Sequence, residues 1–94
     1  MKTPRQIAQE VLVLADAYGK LGERYNELRK VYALWWEAKR PDFKSDKSAE
    51  RAWDLTREGI EMSEVHLKMK VTEKRISALK TYLRVMEAES FNQY

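Results

Sequence analysis

His66 is the only histidine in the chain, so imidazole-based acid–base chemistry would have to run through it. One helical turn away stand Met62 and Lys70, and Ser63 lies three residues before. A catalytic base needs a partner that orients its ring, and this spacing offers no carboxylate for the task. Cysteine is absent, which removes thiol nucleophiles, disulfides and thiolate-bound zinc. Asp46, Glu50, Asp54 and Glu58 recur every fourth residue and share one helix face. A di-metal carboxylate bundle also requires Glu-x-x-His elements, and none is present. The sequence contains no phosphate loop, dinucleotide fingerprint or metalloprotease helix motif. No catalytic residue, metal or cofactor is therefore assigned, and the chain is expected not to be an enzyme.

Binding chemistry has more candidates. The acidic line Asp46–Glu50–Asp54–Glu58 could dock a basic partner, or it could be a solvated face balanced by Lys47, Arg51 and Arg57. Lys68, Lys70, Lys74, Arg75, Lys80 and Arg84 make the C-terminal third basic and are candidate phosphate contacts. Charge runs basic–acidic–basic: eight basic and five acidic side chains in residues 1–40, four and seven in 41–64, six and three in 65–94. Such a pattern suits helix pairing as well as nucleic acid. Neither a helix-turn-helix nor a zipper with a dense basic region is visible. Gly19-Lys20-Leu21-Gly22 matches a bare GxxG, but the RNA-clamping loop of that form belongs to a module with a sheet, and no strand is predicted here.

The elements that must hold these residues are helices. Ala, Leu, Glu, Lys, Arg and Met dominate the 94 residues, with three glycines and two prolines. Thr3-Pro4-Arg5-Gln6 reads as a capping box with proline at the first helical position. Ile7, Val11, Leu14, Tyr18, Leu21, Tyr25, Leu28, Tyr32 and Trp35 then alternate by four and three. That is the seam of a coiled-coil-like helix, expected over about 4–39. Pro41 ends it, and a turn is expected over about 40–45. Ser45, Asp46 and Ser48 all qualify as caps for a second helix over about 46–89, followed by a short tail, 90–94, whose Phe91 and Tyr94 could dock.

The second helix shows Ala49, Ala52, Trp53, Thr56, Ile60, Ser63, Leu67 and Val71, then Ile76, Leu79, Leu83 and Met86 beside Tyr82. This reading requires a phase shift between Leu67 and Ile76. Thr72 could alternatively cap a new helix, with Val71 and Ile76 as its staple.

The expected architecture is all-α: one domain, 1–94, forming a long antiparallel two-helix hairpin. Dimerisation into a four-helix bundle is expected to cover its flanks. A break near Gly19 or Thr72 would give three or four helices instead. Val11, Tyr18, Tyr25, Tyr32, Trp35, Trp36 and Trp53 are the expected core or interface residues, since Tyr and Trp suit covered surfaces with a wet edge. Trp36 lies about 100° from Trp35 and is expected to pack near Trp53 or Phe43, or under a second chain. The longest apolar run near the N-terminus, Val11 to Ala15, is too short for a signal segment or a span. A cytoplasmic setting without membrane contact is expected. The functional expectation is a protein–protein interaction module, an adaptor, assembly factor or inhibitor in the style of small bacterial or phage accessory proteins. The alternative is a nucleic-acid-associated protein using the basic C-terminal helix.

Overall fold

The computed structural model describes residues 2–92, with side chains to residue 89. The fold is all-α, with α1 over Pro4–Lys39, a 3-10 turn over Arg40–Asp42, α2 over Asp46–Asp54 and α3 over Arg57–Asn92. No strand occurs among the described residues. The hairpin measures 69 × 20 × 18 Å. Phe91 and Tyr94, the aromatics of the expected tail, lie outside the described side chains.

α1 starts as its sequence dictates. The Thr3 hydroxyl accepts from the Gln6 N–H at 3.2 Å, and the Gln6 side chain accepts from the Thr3 N–H at 2.9 Å. The helix passes Gly19 and Gly22 without a break. Its 3–4 seam is the face turned to α3, with Ile7 and Leu28 fully buried. Burying a side chain of that kind contributes about 1.5–3 kcal/mol. Gly19 has open space where a Cβ would stand. Gly19→Ala should therefore raise stability by about 1 kcal/mol through helix propensity alone, visible as a higher urea midpoint with an unchanged slope.

The second helical region departs from expectation. It breaks, but at Leu55–Thr56 rather than at Thr72. Thr56 makes the corner: its hydroxyl donates to the Trp53 carbonyl at 2.6 Å and accepts from the Gly59 N–H at 3.0 Å. That second bond caps the first turn of α3. Thr72 lies inside α3, its hydroxyl donating to the Lys68 carbonyl at 2.7 Å, so it caps nothing. Of the three candidate caps for α2, Ser45 is the one used, accepting from the Ser48 N–H at 3.1 Å.

No phase shift exists in α3. Its inner seam is Gly59, Met62, Val65, Met69, Thr72, Ile76, Leu79, Leu83 and Met86, a regular run of threes and fours. Ile60, Leu67 and Val71, expected on that seam, are on the outside; Leu67 is 62% exposed and Val71 58%. The apparent shift came from stepping from an outer stripe to the inner one.

Two ion-pair clasps fix the antiparallel pairing. Arg24 holds Glu61 in a fork, Nε to Oε2 at 2.5 Å and Nη2 to Oε1 at 2.7 Å. Glu10 takes Lys2 at 2.6 Å and Arg75 at 2.9 Å. Hydrogen bonds from these cations hold the Glu61 and Glu10 carboxyls below the usual carboxylate range. All five charged groups keep contact with water, so the clasps set register more than they add stability.

Candidate interaction surface

α2 is short, and it folds back across the turn end of the hairpin to place Trp53 between the two long helices. Ala49 and Trp53, four apart on one face of α2, are its two buried residues. The Trp53 ring meets Tyr32 edge-on at 4.9 Å and Trp35 at 5.6 Å, and Trp35 continues to Phe43 at 6.1 Å. Edge-to-face and tilted pairs at these distances add about 0.5–1.5 kcal/mol each beyond their burial. Trp36 reaches this cluster through Tyr32 and not through Trp53. It packs on Tyr32 at 5.7 Å, with the Arg40 guanidinium 6.0 Å from its ring centroid. The contacts expected of Trp36 with Trp53 and Phe43 are made by Trp35.

Beside Trp53 a cleft of about 490 Å³ opens between α1, α2 and α3. Tyr25 and Tyr32 form its aromatic wall, Met62 and Ser63 belong to the α3 side, and Glu50 and Asp54 stand on α2. Burial pushes the Tyr32 hydroxyl above the usual tyrosine range, and the carboxylates of Glu50, Asp54 and Asp46 push in the same direction. The cleft is thus apolar-walled with a negative rim. His66 faces it from α3, its ring 5.6 Å from Tyr25. No side chain among the described residues hydrogen-bonds to His66.

The acidic strip is divided by the corner at Thr56. Asp46 pairs with Arg40 at 2.7 Å, Glu50 and Asp54 line the cleft, and Glu58 belongs to α3. The six basic candidates of α3 are all exposed but do not converge. At about 100° per residue, Lys70, Lys74, Lys80 and Arg84 fall to one side of the outer stripe, and Lys68 and Arg75 to the other. Arg75 is also engaged by Glu10. Val11 and Tyr18 are half-buried seam residues of α1, away from the cleft.

The outer stripe of α3 is the surface that sequence reasoning misplaced. Ile60, Leu67, Val71, Ala78, Tyr82 and Val85 lie within about 40° of one line, nearly opposite the inner seam, and all are exposed. They extend over about 38 Å of helix. Gly59 was missed altogether. A Cβ there would stand 1.9 Å from the Trp53 carbonyl oxygen, so the corner depends on it. The pair Thr56-x-x-Gly59 was the available signal.

Among the described residues no group of acidic or histidine side chains could hold a metal ion, and no helix is long and apolar enough to cross a membrane. Compared with protein-family models, with curated proteins and with solved structures, the chain matches none.

Proposed function

We propose that this protein is a non-enzymatic interaction module, an adaptor, assembly factor or inhibitor, that works as a helical oligomer, with a dimer as the basic unit. The observation that carries the reading is the second apolar face of α3. A helix that is apolar on opposite sides is normally covered on both, and within the chain α1 covers only one. The accessible surface agrees. A compact monomer of 11.2 kDa exposes about 5,700 Å², whereas this chain exposes 7672 Å². The surplus, about 2,000 Å² per chain, exceeds the roughly 800 Å² per partner of a standard interface and falls in the range of large obligate dimers.

The cleft supplies the recognition surface in this reading. Its tyrosines and carboxylates suit a basic segment of a partner protein, and electrostatic choice at such a rim sets specificity more than total affinity. The cysteine-free composition suits a cytoplasmic setting. Phosphate tracking by α3 has less support, because its basic residues divide to either side of an apolar line.

Size-exclusion chromatography with light scattering, at low and high salt, tests the proposal. The expected result is a salt-resistant dimer whose absorbance ratio shows no nucleic acid. A monomer of 11.2 kDa at every concentration would overturn it. A nucleic acid that co-elutes at low salt and is stripped at high salt would favour the basic-helix reading instead.

A further inference from the structure

The outer stripe of α3 has a charge pattern that specifies its own partner. Read at three-four spacing, it runs Ile60, Glu64, Leu67, Val71, Lys74, Ala78. Only two members are charged, and their signs are opposite. Both are exposed, and neither has an ion-pair partner within the chain among the described residues.

The run is also self-complementary about position 69. Residues equally far from it on either side are Leu67 and Val71, Glu64 and Lys74, Ile60 and Ala78. From these observations we infer that α3 pairs with α3 of a second copy of this chain, antiparallel, with the two-fold axis passing at the level of residue 69. The inference rests on the oligomer reading above and fixes its interface.

In that register every apolar member of the run meets an apolar member of the other copy. Glu64 of each copy meets Lys74 of the other, so two ion pairs close symmetrically around the Leu67–Val71 centre. A two-fold interface demands this kind of reciprocity. The parallel arrangement would set Glu64 against Glu64 and Lys74 against Lys74, placing like charges in a partly apolar seam. Charged residues at such positions set helix orientation in coiled coils. Slipping an antiparallel pair by one heptad would set Glu64 against Leu67 and Lys74 against Arg57 in one direction, or Lys74 against Val71 and Glu64 against Thr81 in the other, and would leave both without an opposite charge.

Beyond the central run, Tyr82 and Val85 reach the level of the second copy's α2–α3 corner. Leu55 at that corner is 81% exposed, the most exposed large apolar side chain described. The outer face of α1 offers no comparable line, since its exposed Leu12 and Val13 stand far from Val31 and Leu34.

Spin labels read the register in solution. The chain has no native cysteine, so Lys68→Cys and Arg84→Cys each introduce one site, both on exposed α3 positions. In the antiparallel pair the two labels at 68 should lie within about 25 Å and those at 84 about 45 Å apart or more. A parallel pair would place both within about 25 Å. Charge reversal supplies a second readout. Glu64→Lys and Lys74→Glu should each raise the dimer dissociation constant about tenfold, and the double reversal should restore it. Circular dichroism on every variant shows that the monomer fold is retained.

Two short distances, or a double reversal that restores nothing, would overturn the register while leaving the oligomer reading in place. A wild-type chain monomeric at about 0.5 mM would overturn both.

Discussion

Gly59→Ala is expected to destabilise the protein by about 3 kcal/mol, at the upper end of what overpacking a tight site costs. A gain opposes this loss, because alanine is the better helix former by about 1 kcal/mol and Gly59 lies in the first turn of α3. The added methyl would stand 1.9 Å from the Trp53 carbonyl oxygen and 2.7 Å from its carbonyl carbon. Both are backbone atoms that cannot swing aside. Thr56 ties the same carbonyl down through its hydroxyl, so relief requires opening the corner and withdrawing Trp53 from between the helices. The propensity gain is smaller than this cost. Urea unfolding at fixed protein concentration should therefore move Gly59→Ala and Gly19→Ala in opposite directions. An unchanged or raised midpoint for Gly59→Ala would contradict the corner as described.

Trp53→Ala is expected to cost about 3–5 kcal/mol, the range for truncating a buried aromatic. Trp53 is 4% exposed and is the ring through which Tyr32 and Trp35 meet. Its loss removes the main reason for α2 to lie against the hairpin, since Ala49 is the only other buried residue of that helix. The loss should be local. α1 and α3 keep their seam and both clasps, so far-UV helicity should fall by no more than the nine residues of α2. Near-UV dichroism from the aromatic cluster should collapse. Truncating Trp36, which is half-buried and meets Tyr32 and Arg40, should cost much less. Equal losses from the two substitutions would contradict the assignment of Trp53 as the centre of the cluster.

The contrast between the two long helices shows what a sequence pattern can carry. α1 was legible, because its cap is a side-chain motif and its seam runs unbroken in threes and fours, while its outer apolar residues, Leu12, Val13, Val31 and Leu34, form no competing line. α3 was not, because it is apolar on two faces. Periodicity favours large residues, so Ile60, Leu67 and Val71 read as the seam. Gly59, Met62, Met69 and Thr72 form the true one. The jump to Ile76 then looked like a change of phase. The corner was hidden for a related reason: Leu55 and Thr56 sit in a run of good helix formers without proline. What marks it is a close approach between Gly59 and the Trp53 carbonyl, a contact defined only once the chain has turned. The acidic line shows the same limit. Its four-residue spacing is real, but the corner divides it, and only Glu50 and Asp54 reach the cleft.

Sedimentation equilibrium on the wild-type chain and on Leu67→Glu/Val71→Glu, compared at equal concentrations, reads directly whether the outer face of α3 holds two copies together. Both residues are exposed in the monomer, so the substitutions leave the intramolecular core intact. Burying four unpaired carboxylates at a two-fold interface is far costlier than leaving them in water. The account predicts twice the chain mass for the wild type, the 11.2 kDa chain mass for the variant, and the same helicity in both. A wild-type monomer, or a variant that dimerises as tightly as the wild type, would contradict it.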